Sequence, residues 1–441
     1  MDNFFEFKKN KTNLKTEVIA GITTFMATMY IIVINPAILS NAGMPFSGVL
    51  TATVLASAFT SIMMGIYAKN PIVLAPGMGI NAFFAFTVVI GMGVPWETAL
   101  GAVFWAGIFF LLLSISNVRA KILMAIPKQL RFGIASGIGL FIALIGFKNA
   151  GFIVQNDATL ISRGPLNEIT LTFLAGFFIT SILVVKRFKG ALILGIIVTT
   201  LLCIPIGRLW GEAAAVNHTN AAVVTWQGFV DAPDFSILFK LDLFGSLKLA
   251  LFPVIFTILF TDMFDTIATF MGVAEAGNLT DESGDPRNMK ESLTVDSIGT
   301  VISGIFGTSP TTSYIESATG VEEGGRTGLV AVISGLLFLP FMFLSPLLSI
   351  VPIIATAPAL VLVGVFMMRP ILKIHWDKFD DAIPAFLSLV LIPLTYSITQ
   401  GIVWGFLSWM LIKLFSGKYE DLTPMIFVIN IFGILALVLG K

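Results

Sequence analysis

Two aspartates, Asp262 and Asp265, interrupt the apolar stretch 247–273. In a helix, side chains three positions apart lie on the same face, about 60° from each other. A charged residue at the centre of a membrane helix costs at least ~2.5–3.5 kcal/mol, so such residues mark a functional site by default. We therefore expect both carboxylates to face the interior of a bundle. The alternative is a structural pair satisfied by the hydroxyl groups of Thr261 or Thr266.

Two further polar residues follow interruptions rich in proline and glycine. Asn81 comes after PIVLAPGMGI at 71–80, and Glu316 comes after GTSPTTSYI at 307–315. The free N–H groups at a helix start stabilise a carboxylate, so Glu316 could bind a ligand or only cap the helix. The Asn81 amide offers both a donor and an acceptor. Phe83 and Tyr314 provide aromatic faces on which a planar ring could stack.

The composition places these residues in a membrane. Of the 441 residues, 56% are hydrophobic and 12% are charged, whereas a soluble domain carries about 25% charged residues. Apolar stretches of about 17–25 residues, the length that spans a lipid bilayer, recur along the chain. The ~10-residue alternation of a β-barrel is absent. The sequence therefore predicts an all-α polytopic membrane protein, and its formal net charge of zero gives no reason to expect a nucleic-acid partner.

About fourteen transmembrane segments are predicted from the apolar stretches. Their approximate bounds are 17–35, 47–68, 72–90, 96–117, 129–149, 168–186, 190–209, 247–273, 289–306, 308–320, 326–347, 354–371, 381–398 and 399–415. A further run at 425–439 either spans the membrane or lies at its interface.

The distribution of basic residues predicts the orientation. The chain is expected in the inner (plasma) membrane of the cell, with both termini in the cytoplasm. In this orientation 21 of the 26 basic residues fall on the inner side, as the positive-inside rule requires. The five on the outer side are Lys148, Arg163, Arg208, Lys240 and Lys248. Adding or removing one central span would scramble this partition.

Seven spans followed by seven more predict an inverted repeat, because an odd number reverses the second half. The interrupted third and tenth spans stand at matching places, with an offset of 235 residues from Asn81 to Glu316. The same offset aligns Tyr30 of the first span with Asp265. Paired half-helices of this kind point to a transporter binding site at the midplane. The alternative is that glycine and proline are simply common in membrane helices.

Several function classes lack their motifs in this sequence. We find no metal-ligand cluster, nucleotide-binding glycine loop or Ser/His/Asp set, so neither an enzyme nor a bound metal or cofactor is predicted. The longest inner loop, 274–289, is too short to hold the nucleotide domains of an ATP-driven pump. Asp296, near the start of the ninth span, is expected to pair with Lys290 or Arg287 at the interface. These exclusions leave two predicted function classes, secondary transport and a channel.

Four motifs in order along the chain resemble the AzgA-like purine permeases of the nucleobase/ascorbate transporter superfamily. They are TEVIAGITTF at 16–25 with YIIVINP at 30–36, APGMGINAFF at 75–84, DMFDT at 262–266, and YIESA at 314–318 with GGRT at 324–327. The resemblance covers nearly the whole chain. It implies substrates such as adenine, guanine and hypoxanthine, purine contacts at Asn81, Asp262 and Glu316, and a functional role for Asp265.

The same resemblance implies an architecture and a mechanism. It predicts two inverted repeats of seven spans, elevator-like motion of a core domain against a gate domain, and frequent pairing as a homodimer. The implied divisions are a cytoplasmic N-terminus at 1–16, core segments at 17–117 and 246–347, and gate segments at 118–245 and 348–441.

The chemistry of the predicted site suits a nearly neutral, flat base. Carboxylates accept hydrogen bonds from ring N–H groups and exocyclic amines, and a base that lacks these donors leaves polar groups unpaired, at about 1–3 kcal/mol each. Burial favours the protonated carboxyl group, so proton symport through Glu316 or Asp265, supported by Tyr30 and Thr266, is the leading hypothesis. Coupling to Na⁺ held by Asp265 is the alternative. An anion or dicarboxylate transporter and a channel are the competing functions.

Overall fold

The computed structural model describes residues 2–115, 127–206, 228–280 and 286–439. The predicted span ends at 117 and 209 lie outside the described residues. So do the division between core and gate segments at 117/118, and Arg119, Lys121, Arg208 and Lys441, which entered the prediction of orientation.

The first half of the described chain is built of helices with three short strands. The elements are α1 (Asp2–Phe5), α2 (Leu14–Thr28), α3 (Ile31–Ser40), α4 (Phe46–Met63), β1 (Leu74–Pro76), α5 (Met78–Ala82), α6 (Trp96–Ile115), α7 (Lys128–Asn149), β2 (Ile153–Asn156), β3 (Leu160–Arg163), α8 (Glu168–Val185) and α9 (Ala191–Pro205). Helices α4 and α5 continue as π-helical turns at Met64–Ala68 and Phe83–Gly91.

The second half repeats this mixture with one strand. Its elements are α10 (Phe252–Gly277), α11 (Met289–Phe306), β4 (Thr311–Ser313), α12 (Ser317–Glu322), α13 (Leu329–Phe338), α14 (Ser345–Leu348), α15 (Ile353–Met367), α16 (Phe379–Leu394), α17 (Ile398–Phe415) and α18 (Pro424–Leu439). Short 3₁₀ turns lie at Gly245–Leu247, Leu249–Leu251, Leu339–Phe343, Arg369–Lys373 and Tyr419–Asp421.

Within the described residues, eight helices are long and apolar enough to cross a membrane. They are Leu14–Ser40, Phe46–Ala68, Trp96–Ile115, Lys128–Asn149, Glu168–Val185, Leu249–Gly277, Ile353–Lys373 and Ile398–Phe415. Shorter apolar helices occupy Met78–Gly91, Ala191–Pro205 and Leu329–Phe343. The prediction of a helical, polytopic membrane protein is confirmed.

Strands β1 and β4 meet at the centre of the molecule. They pair antiparallel, with Leu74 opposite Ser313 and Pro76 opposite Thr311. The backbone N–H of Gly77 also donates to the Pro310 carbonyl oxygen at 2.9 Å. Proline lacks the N–H group that would continue a helix, so each interrupted segment forms a strand before it enters α5 or α12. The place where β1 and β4 pair is called the strand crossing below. The pairing holds the starts of these two short helices side by side.

The single offset of 235 residues between the two interrupted segments is wrong in detail. Their strands end at Pro76 and Ser313, and their short helices are capped by Gly77 and Glu316. These pairs give offsets of 237 and 239. The order of strand and short helix is therefore the same in both segments, but Asn81 and Glu316 do not occupy the same position in them. Asn81 lies inside α5, whereas Glu316 stands at the N-cap of α12.

The helices pack into two groups. In one group α7 packs on α15 and α16, α16 packs on α17, and α8 and α9 pack on α15; in the other, α13 packs on α2 and α4, and α11 packs on α6. Glycines permit the closest approaches: a Cβ on Gly139 would meet the Gly364 carbonyl oxygen, and one on Gly65 would meet that of Gly328. Helices α5 and α10 connect the two groups, because α5 packs on α7 and α10 packs on α17.

Candidate functional site

Helix α10 carries Asp262 and Asp265 past β4, and both carboxyl groups point into the protein. Asp262 is fully buried and accepts a hydrogen bond from the Thr300 hydroxyl of α11. Asp265 is half-buried and lies against the Thr312 hydroxyl of β4. The predicted inward face is confirmed. Threonines of neighbouring elements, rather than Thr261 or Thr266, contact the pair.

Glu316 faces the same region from the second interrupted segment. It occupies the N-cap of α12, as the sequence predicted, but its side chain makes no capping hydrogen bond. Instead its carboxylate accepts a 2.6 Å hydrogen bond from the hydroxyl of Tyr30, which lies between α2 and α3. Asp265 and Glu316 are close enough for their carboxyl groups to interact electrostatically. The reading of Glu316 as only a capping residue is therefore wrong.

Asn81 is fully buried in α5, and one half of its amide is occupied. Ser309 donates to its Oδ1 atom, whereas its Nδ2 atom has no hydrogen-bond partner among the described residues. Ser309 also reaches Asn35 at 3.4 Å, and Asn35 donates to Thr53 and Thr308 at 2.7 and 2.8 Å. This network fixes the orientation of Asn81 and leaves a free donor. Sequence reasoning missed Ser309, although it directly precedes Pro310 in the interrupted segment.

The two aromatic candidates are part of the packed wall. Phe83 and Tyr314 are both buried. The Tyr314 hydroxyl donates to the Pro76 carbonyl oxygen at 2.6 Å, which ties the second segment to the first. The rings of Tyr30 and Tyr314 lie 6.2 Å apart, so Tyr30, Tyr314 and Glu316 form one contiguous surface.

The prediction that Asp296 pairs with Lys290 or Arg287 is wrong. Asp296 is the eighth residue of α11, and at 1.5 Å of rise per residue it lies roughly 10 Å from the helix start. It is fully buried and accepts a 2.6 Å hydrogen bond from Thr266. Arg287 instead donates to Asn70 and to the Arg326 carbonyl oxygen. Position along α11 was the signal that could have identified Asp296 as internal.

The assembled site is rich in acceptors and poor in cations. Its four carboxyl groups take part in no salt bridge within the described part of the chain. They are those of Asp262, Asp265, Asp296 and Glu316. A ligand that brings its own N–H donors fits such a surface, whereas an anion would meet like charge.

A multi-span helical fold with uncompensated acids at the crossing of two interrupted segments defines a membrane transport protein, not an enzyme. Residues 15–404 match the family model Xan_ur_permease, described as "Permease family". The chain belongs to this family, and the resemblance to purine permeases is confirmed.

Named relatives cover nearly the full length. The chain is 44% identical to adenine permease AdeP of Escherichia coli over 99% of this chain and 96% of that protein. It is 40% identical to guanine/hypoxanthine permease PbuO of Bacillus subtilis over 97% of this chain and 98% of that protein.

Solved structures share the fold alone. The transmembrane domain of a cyanobacterium bicarbonate transporter, BicA, superimposes with a TM-score of 0.65 at 17% identity, covering 89% of this chain and 97% of that one. The structure of SLC26A9 gives a TM-score of 0.64 at 11% identity, covering 92% of this chain and 67% of that one.

Proposed function

We propose that this permease imports purine bases such as adenine, guanine and hypoxanthine by cation symport. The observation that carries the proposal is the cluster of carboxyl groups without a basic partner beside a buried amide with a free donor. Carboxylates accept from the N–H groups of a base, and the Asn81 Nδ2 donates to a ring nitrogen or carbonyl oxygen. The names of the relatives support the substrate class.

The proposed purine contacts are Asn81, Asp262, Glu316, Phe83 and Tyr314. Glu316 is half-buried and can exchange its bond from Tyr30 for one from the base. Asp262 accepts from Thr300 through its Oδ2 atom, and its carboxylate is proposed as a further acceptor for the ligand. Phe83 and Tyr314 supply the apolar walls.

Proton coupling is the proposed energy source. The candidates that the sequence offers for the protonation site are Glu316 and Asp265, with Tyr30 and Thr266 as supporting residues. Uptake should persist without Na⁺ and collapse when a protonophore dissipates the gradient. Uptake that requires Na⁺ at constant pH would replace the proton with Na⁺ as the coupled ion.

The finer architecture is also a proposal. It consists of fourteen spans in two inverted repeats of seven, with half-helices in the third and tenth and both termini in the cytoplasm. The core (17–117 and 246–347) would move against the gate (118–245 and 348–441) as an elevator, and two copies would pair as a dimer. The two packing groups of helices support this division, because α7 to α9 and α15 to α17 contact each other more than the rest.

The decisive experiment is uptake of radiolabelled hypoxanthine and adenine in cells that lack their own purine carriers, with competition by unlabelled adenine, guanine and uracil. Saturable purine uptake that uracil does not inhibit is expected. A thermal-shift series with the same bases and sulfate tests the competing anion transporter. Stabilisation by sulfate alone would reject the proposed substrate class.

A further inference from the structure

Asp262 of α10 and Asp296 of α11 form a buried pair of carboxyl groups. Both side chains are fully buried, and two reciprocal hydrogen bonds bring them together, because each carboxyl group accepts from the threonine four residues after the other aspartate. One oxygen of each is occupied, because Thr300 donates to Asp262 Oδ2 and Thr266 donates to Asp296 Oδ2. The Oδ1 atoms of both residues have no hydrogen-bond donor among the described residues.

Among the described residues, no basic group neutralises this pair. Helices α4 and α5 contain no charged residue, and α6 has only Glu97 in its first turn. On α10 the interacting charge is that of Asp265, with Glu316 and Tyr30 beyond it. Strand β4 contributes only the hydroxyl groups of Thr311, Thr312 and Ser313. Two carboxylates so close together cannot both remain ionised, because each disfavours the charged form of the other.

We propose that Asp262 and Asp296 share one proton between their Oδ1 atoms, and that this proton is the one coupled to transport. A single O–H group would supply the donor that both orphaned oxygens lack. The inference rests on the proposed proton symport and assigns the proton to this pair instead of to Asp265 or Glu316. Those two acids then remain available as carboxylate acceptors for the ligand. Asp296 is thus a proton-holding residue that does not contact the base.

Asp296 also connects helix α11 to helix α10. The hydrogen bond from Thr266 to Asp296 and the one from Thr300 to Asp262 link α11 to α10 beside strand β4. Loss of the proton would place two like charges between these helices, and gain of it would join them. Movement of the proton is therefore coupled to the packing of α10 against α11.

Two measurements test the inference. Infrared difference spectroscopy of the purified protein during a pH titration should show the carbonyl band of a protonated carboxyl group. That band should disappear in both Asp296→Asn and Asp262→Asn and persist in Asp380→Asn, which removes an ion-paired carboxylate elsewhere. Persistence of the band in both site variants would overturn the shared proton, whether or not the protein transports purines.

The second measurement uses proteoliposomes with labelled hypoxanthine. Asp296→Asn, which mimics a permanently neutral partner, should keep exchange of internal for external base but lose accumulation driven by a pH gradient. Retained accumulation in a folded Asp296→Asn protein would contradict the assignment. Absence of any purine exchange in the unsubstituted protein would instead reject the proposed function, leaving the infrared result to decide the proton site.

Discussion

Two clusters of acidic residues in this protein have opposite electrostatic surroundings. Where α16 begins and α17 ends, Lys413 contacts Asp380, Asp381 and Asp421 at 2.6, 3.1 and 3.1 Å, and Lys418 contacts Asp380 at 2.6 Å. At the strand crossing, Asp262, Asp265, Asp296 and Glu316 contact hydroxyl groups without a cation. The first cluster is satisfied by the chain itself.

The difference supports the proposal that the central acids are functional and that the acids around Lys413 are structural. The Lys413 ammonium, followed by that of Lys418, lowers the pKa of Asp380 to about 2, so this carboxylate stays charged throughout the physiological range. The central acids receive no such compensation and depend on a proton or a ligand to supply the missing donors. Asp380 and Asp381 are half-buried, as Asp265 and Glu316 are, so the presence of a cation among the described residues is what distinguishes the two clusters.

The largest expected effect comes from the central cluster. Glu316→Gln and Asp262→Asn should each abolish high-affinity purine uptake, because an amide replaces part of the acceptor surface with a donor. Each variant should remain folded, since the substitutions preserve shape. Uptake kinetics together with size-exclusion profiles of the purified proteins check this expectation.

A matched control is Glu323→Gln, seven positions after Glu316 on the same segment. Glu323 is exposed and pairs with Lys189 at 3.0 Å, so its substitution should leave uptake close to normal. Normal uptake in Glu316→Gln or Asp262→Asn would place the binding site elsewhere and remove the contrast between the two clusters.

An intermediate effect is expected when the cluster of Asp380, Asp381 and Asp421 loses Lys413. Lys413→Met leaves three acids close together, and Lys413 is almost fully buried. The cost in unfolding free energy should fall between the ~0–1 kcal/mol of an exposed pair and the ~3–5 kcal/mol of a broken buried pair. A lower midpoint of thermal unfolding in detergent would show it, with purine affinity unchanged. A lost affinity with unchanged stability would contradict the structural role.

The same variant has a predicted pH dependence. Because the folded pKa of Asp380 lies below its ordinary value of 3.8, its ion pairs stabilise the protein above that value and lose their contribution as the pH falls towards 2. Lys413→Met should therefore flatten the decline of the unfolding midpoint across this acidic range. An identical decline in both proteins would show that other groups control acid stability.

The smallest effect is expected at the exposed pair of Lys189 and Glu323, which connects the loop before α9 to the end of α12. Lys189→Met should change stability by no more than ~1 kcal/mol, because solvent screens exposed charges. Thermal unfolding at low and high salt tests this. A larger, salt-sensitive loss would mean that an exposed cation can matter as much as the buried Lys413.

Some expectations depended only on residue type and local spacing. Charge-poor apolar stretches predicted the membrane helices, since a bilayer demands that length and composition. Proline and glycine at 71–77 and 307–310 predicted the interruptions, because both residues disfavour a continuous helix. Asp262 and Asp265 were expected to face inward because lipid cannot solvate a carboxylate.

What only the tertiary structure decided is which polar atoms meet. Asp296 was expected to pair with Lys290 or Arg287 at an interface and instead accepts a hydrogen bond from Thr266. Likewise, the pairing of Ser309 with Asn81 joins residues 228 positions apart. Sequence by itself determined that this protein buries uncompensated acids in a membrane. Only the tertiary structure, in which β1 pairs with β4 and distant helices meet, decided which hydroxyl groups contact those acids, because hydrogen bonds act over about 3 Å and cannot be inferred from local spacing.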